Sequence, residues 1–379
     1  MNIQRFEEQQ TPFYYYDLEL LRRTLSTIKT AIADTPHYHV HYAVKACANP
    51  AVLRTIAESG LGADCVSGGE VKVAAQHGFA PGRIVFAGVG KADWEIKAAL
   101  EIGISCFNVE SLPELENINE LASQMGRIAR VAFRINPNVD AHTHAKITTG
   151  LNENKFGLAM EDMIPAIRRA QELPAIEYIG LHFHIGSQIT EMHPFASLAE
   201  RINELQLQLE AAGIVTPSIN VGGGLGIDYQ HPDTNPIPNF ENYFATFKKH
   251  LQVREGQEVH FELGRSITAQ CGSLITRVLY VKEGHEKKFI IVDAGMTDLV
   301  RPAMYGSYHQ TDNLSCPDGD RQVYDIVGPI CESSDVFHTN LTFPFTKRGD
   351  LLAFRSAGAY GEIMASQYNC RTLPGSITD

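Results

Sequence analysis

The 379-residue sequence has little that would tie it to a membrane or to nucleic acid. No run approaches the about eighteen apolar residues that a membrane-spanning helix needs. Lysine and arginine number 32 against 44 aspartates and glutamates, so the formal net charge is −12. A nucleic-acid groove needs a basic surface that displaces counterions. We therefore expect neither nucleic-acid nor membrane partners.

Cysteine is too scattered to suggest a structural framework. The seven cysteines are odd in number and include no CxxC pair, so neither disulfides nor a structural zinc site is indicated. The first sixteen residues lack the basic flank, apolar core and cleavage site of a secretory signal. We therefore expect a cytoplasmic protein that handles small molecules.

Short apolar runs alternate with helical patterns from about residue 36 to about residue 263. Eight strands that alternate with helices predict an α/β fold, a (β/α)8 barrel. The predicted strands are His39–Val44, Ala63–Val66, Ile84–Phe86, Ser105–Asn108, Arg130–Ile135, Ile179–His184, Ser218–Val221 and His260–Leu263. Helical segments include Pro50–Ser59, Glu70–His77, Ala92–Ile102, Glu161–Glu172 and Pro194–Ala212.

After Gly264 the pattern changes to strand-like runs separated by Gly, Pro and Asp, which predicts a mostly β second domain. The strand-like Phe13–Tyr16 is expected to join it, ahead of a helix over Leu18–Ala33. We place the barrel at residues 17–263 and the β domain at residues 1–16 plus 264–379. The long segment Asn136–Gly157 is a candidate active-site loop. The β runs are Ser273–Val281, Lys288–Val292, Val323–Ile326 and Asp350–Phe354.

Residues that follow the barrel strands are the candidates for chemistry, because active sites of such barrels lie at the C-terminal strand ends. Lys45 ends the first strand, where desolvation can turn an amine into a nucleophile for an aldehyde. A lysine that merely extends its amine to water is the commoner case for a single residue. The segment HFHIGSQ puts His182 and His184 on one face, as a metal pair or as packed histidines.

The last two strand ends add an anion site and an acid. Gly222-Gly223-Gly224 can cradle a phosphate with backbone N–H groups, or can simply form a tight turn. Glu262 and Arg265 can face a cofactor ring, or can form a structural ion pair. Together an aldehyde-trapping amine, a histidine, a phosphate cradle and a carboxylate for a ring nitrogen match pyridoxal phosphate.

Nine segments, in order along nearly the whole chain, resemble the successive signatures of the diaminopimelate/ornithine decarboxylase family. The resemblance implies a pyridoxal-binding barrel, a C-terminal β domain and a homodimer with two shared active sites. The sequence departs from the family at Leu263, where proline is usual. The segments are YAVKAC, ADCVSGGEV, FAGVGK, NKFGL, HFHIGSQI, NVGGGLGIDY, RPAMYGSYH, VGPICESSD and SAGAYG.

The resemblance also implies roles for individual residues. Lys45 would bond to the cofactor aldehyde, and His184 would stack on the ring. Glu262 would keep the pyridine nitrogen protonated, which makes the ring an electron sink. Cys331 would reach the partner's site and protonate the substrate carbon after CO₂ leaves. Further cofactor-binding residues would be Asp64, Ser187, Gly223, Gly224, Gly264, Arg265 and Tyr360.

The choice of substrate follows from a second amino-acid head. Diaminopimelate carries a distal carboxylate that ornithine and lysine lack, and a planar arginine fork binds a carboxylate bidentately. The motif RPAMYGSYH with CESSD resembles members that act on diaminopimelate. This implies decarboxylation of meso-2,6-diaminopimelate to L-lysine and CO₂, the last step of lysine biosynthesis. The substrate-binding residues would be Arg265, Arg301, Tyr305, Glu332 and Tyr360.

Three alternatives stay open at this point. One is a decarboxylase of the same family that acts on another basic amino acid or polyamine precursor. Another is a metal-dependent barrel hydrolase, suggested by His39 and His41 on strand one and by His182 and His184 on strand six. The third is a non-catalytic pyridoxal-phosphate carrier, a class that lacks the β domain and the CESSD motif.

Overall fold

The computed structural model describes residues 3–139 and 155–379 of the chain. Most of the predicted loop Asn136–Gly157 therefore lies outside the described residues. The chain divides into two units, each drawn from separate stretches of sequence. The barrel unit comprises Arg22–Gly226 and Asn239–Ile267. The β unit comprises Met1–Leu21, Ile227–Pro238 and Thr268–Asp379.

The N-terminal part contains helix α1 (Ile3–Glu7), strand β1 (Phe13–Tyr16) and helix α2 (Leu18–Ala31). Asp17 caps the start of α2, because its Oδ1 accepts the N–H of Leu20 at 2.7 Å. The helix ends two residues earlier than predicted, within the range over which helix ends fray.

The predicted eight-stranded barrel is confirmed in the described part of the chain. Its parallel strands pair in sequence order, and β2 closes the barrel on β9, with His41 beside Glu262. The strands are β2 (Tyr38–Ala43), β3 (Gly62–Cys65), β4 (Ile84–Phe86), β5 (Cys106–Val109), β6 (Ala129–Arg134), β7 (Ile176–His182), β8 (Ser218–Asn220) and β9 (Glu258–Leu263).

Helices follow the strands, and several of them begin at polar caps. Ser67 accepts the N–H of Glu70, and Ser111 accepts the N–H of Glu114, so both positions follow the Ser-x-x-Glu capping pattern. The barrel helices are α3 (Pro50–Glu58), α4 (Gly68–Gln76), α5 (Asp93–Ile102), α6 (Leu112–Gln124), α7 (Met163–Glu172), α8 (His193–Ala211), α9 (Phe240–His250) and α10 (Arg265–Thr268).

The β unit is built on an eight-stranded sheet with the path β12-β15-β10-β11-β13-β14. Strand β1 pairs antiparallel with β10 and parallel with β16. Its core includes Phe6, Phe13, Ile275 and Leu351. The elements are β10 (Gly272–Glu283), β11 (Lys288–Val292), α11 (Arg301–Tyr305), β12 (Thr311–Asn313), β13 (Arg321–Val327), β14 (Val336–Pro344), β15 (Leu351–Phe354) and β16 (Gly375–Thr378).

Two predicted strands run past their observed ends, at or beside the predicted site residues Lys45 and His184. Lys45 lies in a single 3-10 turn, Val44–Ala46, because β2 ends at Ala43. His184 lies two residues beyond the end of β7 at His182. Both side chains therefore sit in turns at the mouth of the barrel rather than on strands. None of the helices in the described ranges has the length and apolar character needed to cross a membrane.

Candidate active site

The mouth of the barrel brings Lys45 next to Asp64 on the neighbouring strand β3. The Lys45 Nζ lies 3.5 Å from the Asp64 Oδ2, and the carboxylate is almost wholly buried. Burial, followed by the negative charge of Glu262, raises the pKa of Asp64 to about 7, while Lys45 acts to lower it. The Asp64 Oδ1 makes no hydrogen bond within the described residues. A buried acceptor of this kind suits a polar group of a bound molecule.

Glu262 is held by three hydrogen-bond donors. Its Oε1 accepts hydrogen bonds from the side-chain amides of Asn108 at 3.1 Å and Asn220 at 2.7 Å. Its Oε2 lies 2.9 Å from His182 Nε2, which must carry the proton because an ionised carboxylate only accepts. Burial acts to raise the pKa of Glu262, yet His182 and Lys45 hold it well below its usual value. Glu262 is therefore ionised at neutral pH.

His184 is fixed as a neutral imidazole. Burial, followed by the positive charges of Arg134 and Lys45, holds the pKa of His184 well below its usual value. The His184 Nδ1 accepts the backbone N–H of Gly223 at 3.4 Å. The proton of the neutral ring is therefore on Nε2, and the ring is tied to the glycine turn.

The glycine turn after β8 is possible only without side chains. A Cβ at Gly223 would overlap the carbonyl oxygen of Glu262, and one at Gly224 would lie 2.9 Å from the Gly186 oxygen. Gly224 also has φ +112°, which L side chains rarely adopt. Beside this turn, Arg265 donates a hydrogen bond from Nη2 to the Ser187 Oγ at 3.1 Å.

Gly264 lies between Glu262 and Arg265 where strand β9 ends. A Cβ there would lie 3.1 Å from the Cβ atoms of Ala43 and Ala46, on either side of Lys45. The small residue thus keeps the end of β9 close to the turn that carries the lysine.

The barrel residues present fit pyridoxal phosphate. The amine of Lys45 can bond to the cofactor aldehyde. The ionised carboxylate of Glu262 can pair with a protonated ring nitrogen, and the glycine turn leaves room for the phosphate. These side chains come from four different strand ends, as is usual for a barrel active site.

Within the β unit, Arg301 gathers the aromatic residues predicted for the substrate. Its guanidinium carbon lies 5.7 Å from the ring centroid of Tyr305 and 5.9 Å from that of Tyr360. The side chain is 7% exposed, and its Nη2 donates to the Ser307 Oγ at 3.0 Å. Tyr360 has φ +58°, a left-handed conformation that is uncommon for a tyrosine. Such retained strain is frequent where a side chain must point in one direction.

Cys331 and Glu332 form a separate group in the same unit. Both residues are exposed. The Cys331 N–H donates to the Asn369 Oδ1 at 3.0 Å, and Glu332 accepts a hydrogen bond of 2.6 Å from the hydroxyl of Tyr368. Their exposure leaves them accessible to another molecule.

The two His-x-His pairs are engaged in separate networks of the barrel. His41 Nε2 lies 2.9 Å from His260 Nδ1, and His41 Nδ1 lies 3.1 Å from the Arg83 carbonyl. Burial lowers the pKa of His41 to about 3. His182 is committed to Glu262. In the parts of the chain that the structure describes, no group of three or more side chains is placed to hold a metal ion.

Sequence reasoning missed Asn108, Asn220 and the carboxylate-binding role of His182. Each lies within or at the end of a buried strand, and the described geometry shows all three converging on Glu262. A polar residue inside an otherwise apolar strand, as in CFNV and SIN, was the available signal.

Comparisons with known proteins identify the family of the chain. The family model described as "Pyridoxal-dependent decarboxylase, pyridoxal binding domain" matches residues 18–269. Because the match covers well over half of the chain, the protein belongs to the pyridoxal-dependent decarboxylases. A diaminopimelate decarboxylase of Bacteroides thetaiotaomicron is 61% identical over 99% of this chain and 97% of its own length. That identity places the chain in the diaminopimelate decarboxylase group, which confirms the resemblance of the motifs.

Other relatives extend the same conclusion. The diaminopimelate decarboxylase of Zymomonas mobilis is 43% identical over 97% of this chain and 87% of its own length. Among solved structures, that of Helicobacter pylori diaminopimelate decarboxylase complexed with L-lysine gives a TM-score of 0.94 at 38% identity. It covers 100% of this chain, which in turn covers 94% of that one.

Proposed function

We propose that the protein decarboxylates meso-2,6-diaminopimelate to L-lysine and CO₂ with pyridoxal 5'-phosphate. The observation that carries the proposal is Glu262, an ionised carboxylate that accepts three hydrogen bonds inside a barrel whose mouth holds Lys45. A protonated ring nitrogen needs such a permanent anion. When bound, the cofactor supplies an electron sink for the electron pair that CO₂ leaves behind.

The barrel residues have separate tasks in this proposal. Lys45 binds the cofactor aldehyde. The carboxyl group of Asp64 lies beside the Lys45 amine and influences whether that amine is protonated. Glu262 holds the ring nitrogen, and the neutral ring of His184 covers the ring face. The phosphate is held by the polar and glycine residues Ser187, Gly223, Gly224, Gly264 and Arg265, together with Tyr360.

The β unit supplies the groups that select the substrate. Arg301 binds the distal carboxylate with its planar fork, helped by Arg265. Tyr305 and Tyr360 pack beside the guanidinium and bound the space for the substrate. Glu332 binds the distal amine. A substrate without the second carboxylate cannot form this bidentate ion pair, which disfavours lysine and ornithine.

The proton that replaces CO₂ comes from the thiol of Cys331. Because Cys331 and Glu332 are exposed in the single chain, we assign them to the active site of a second subunit. The working protein is then a cytoplasmic homodimer with two shared sites. The pyridoxal-binding domain is assigned to residues 17–263, and the substrate-binding and shared residues to the β domain of residues 1–16 plus 264–379.

The experiment compares the unmutated protein with Lys45→Ala on three substrates. We expect the unmutated protein to absorb visible light and to release L-lysine and CO₂ from meso-diaminopimelate, but little product from lysine or ornithine. Borohydride should attach the cofactor mass to the peptide that contains Lys45. Lys45→Ala should lose the visible band, this adduct and the activity. The same adduct in Lys45→Ala, or equal turnover of lysine, would contradict the proposal.

A further inference from the structure

A third aromatic ring packs against Arg301 besides those of Tyr305 and Tyr360. The guanidinium carbon of Arg301 lies 5.6 Å from the ring centroid of Tyr229, the shortest of the three distances. All three fall within the roughly 6 Å over which an aromatic face attracts a cation. Tyr229 belongs to NVGGGLGIDY, a motif whose role otherwise ends at the glycine turn.

The ring of Tyr229 is itself held firmly. Its backbone carbonyl accepts the N–H of Gln310 at 3.3 Å. Its ring meets that of His309 edge-on, with centroids 5.1 Å apart and planes at 78°. His309 Nδ1 in turn lies 3.0 Å from the Arg355 carbonyl oxygen. Tyr229 is therefore fixed at both its backbone and its ring.

A second anchor fixes the segment Ile227–Pro238 that carries Tyr229. The guanidinium of Arg355 bridges Asp233 of that segment at 2.8 Å and Asp312 of strand β12 at 2.7 Å. The segment follows the glycine turn in sequence but belongs to the β unit. In sequence, the glycine turn is therefore followed directly by the segment whose Tyr229 ring packs against Arg301.

The geometry of a guanidinium explains the effect of the three tyrosine rings that surround Arg301. Rings pack against its flat faces, whereas its N–H donors point outward in the plane, where a carboxylate binds. A long arginine side chain loses rotamer entropy when it is fixed. Aromatic rings that fix the guanidinium before the substrate arrives reduce the entropy that is lost when the substrate binds.

We infer that Tyr229 is a specificity-determining positioning residue, whose ring orients Arg301 for the second carboxylate of diaminopimelate. This inference rests on the substrate role proposed for Arg301. It assigns Tyr229 no contact with the reacting atoms. Loss of the ring should therefore weaken diaminopimelate binding and leave the chemical step intact.

The test uses Tyr229→Leu, which keeps apolar volume, and Tyr229→Phe, which keeps the aromatic face. Tyr229→Leu should raise KM for meso-diaminopimelate by about tenfold, as expected for a lost cation–ring contact in a buried site. Its kcat should stay within about twofold, because a contact made equally in the ground and transition states affects KM alone. The visible band should be unchanged, and Tyr229→Phe should restore the KM.

Tyr280→Leu is the matched control. The guanidinium carbon of Arg348 lies 5.5 Å from the Tyr280 ring in the same unit, but Tyr280 is 57% exposed. Tyr280→Leu removes a similar contact between a guanidinium and a ring of strand β10. It should leave both KM and kcat unchanged. The double variant Tyr229→Leu, Arg301→Ala should show no more loss than Arg301→Ala alone, because one residue acts through the other.

The outcomes separate the two proposals. If the unmutated protein does not act on meso-diaminopimelate, the proposed function fails and the role of Tyr229 fails with it. If the unmutated protein is active but Tyr229→Leu behaves like Tyr280→Leu, only the role of Tyr229 is wrong. A fall in kcat with loss of the visible band, or additive losses in the double variant, would also overturn it.

Discussion

Burial acts to raise the pKa of two carboxylates at the mouth of the barrel, yet the pKa of one is raised and that of the other is lowered. Glu262 receives three hydrogen bonds and keeps its charge. Asp64 has the Lys45 ammonium at 3.5 Å, a weaker compensation, so its pKa rises. The number and distance of donors, rather than depth of burial alone, decides which acid is ionised near neutral pH.

The raised pKa of Asp64 predicts a pH-dependent effect of Asp64→Asn in protein stripped of its cofactor. The folded protein keeps the Asp64 proton up to a pH of about 7, whereas the ordinary pKa is 3.8. Ionisation of Asp64 therefore lowers the stability of the fold as the pH rises through this range. Asparagine removes that loss, so the free energy of unfolding of Asp64→Asn relative to the unmutated protein should rise.

Between pH 5 and pH 8 the rise should be on the order of 2–3 kcal/mol, from the free energy of one pKa unit. Urea titrations at several pH values measure it. Asp318→Asn, at an exposed position, provides the control for the loss of one aspartate. A relative stability of Asp64→Asn that falls as the pH rises would show that the pKa is not raised.

At this scale the sequence predicts some residues far better than others. Lys45, His184 and Glu262 follow strand ends within recognisable motifs. Asn108 and Asn220 do not, because their role depends on which strands face one another across the barrel. Tyr229 escapes for the same reason, since only the fold brings it to Arg301.

Among the secondary-structure elements, the turn after β4 is joined to β5 and α6 by one buried lysine. The Lys91 ammonium donates to the carbonyls of Gly88 and Asn108, each at 2.8 Å. It also forms an ion pair of 2.5 Å with Glu114, and its side chain is only 1% exposed. The side-chain amide of Asn108 binds Glu262, so this junction also supports the active site.

Lys91→Met should destabilise the protein strongly. It leaves the Glu114 carboxylate without its cation, and burial already acts to raise the pKa of Glu114. Breaking a buried ion pair in this way costs about 3–5 kcal/mol. Lys97→Met, on the exposed face of α5, should change the free energy of unfolding by no more than about 0.5 kcal/mol. Urea denaturation of both variants tests this, and equal midpoints would show that the Lys91 pair adds nothing.

The order and type of the barrel strands follow from the sequence, and their limits differ by only a few residues. The sequence extends β2 through Val44 and β7 through His184, because apolar and aromatic neighbours continue the strand pattern. The structure ends both strands earlier and turns the chain at the mouth. Apolar periodicity does not report where a barrel strand leaves its partners, so strand ends are least predictable where function lies.

For the molecule as a whole, the proposed shared sites predict complementation between inactive variants. Lys45→Ala should be inactive, and so should Cys331→Ala combined with Glu332→Ala. When the two exchange subunits at random, half of the dimers are mixed, and each mixed dimer has one intact site. Two-fold symmetry then predicts recovery of about one quarter of normal activity.

Subunit exchange must be measured separately by mass tagging. A mixture of Lys45→Ala with Lys45→Met provides the control. Both variants lack the lysine, so no pairing of the two restores an intact site. Recovery in that control would reveal contamination. If exchange is demonstrated and the test mixture shows no recovery, Lys45 and Cys331 of one active site belong to the same chain.

The pairing of β1 with both β10 and β16 also sets an order of events during synthesis. Phe13 leaves the ribosome long before its partners Ile275 and Gly375. Until then, an aromatic strand that is fully buried in the finished sheet has neither neighbour to pair with. Such long-range pairing is slow, and an unpaired strand edge invites aggregation. Nascent chains that stall before residue 375 should therefore need chaperones most.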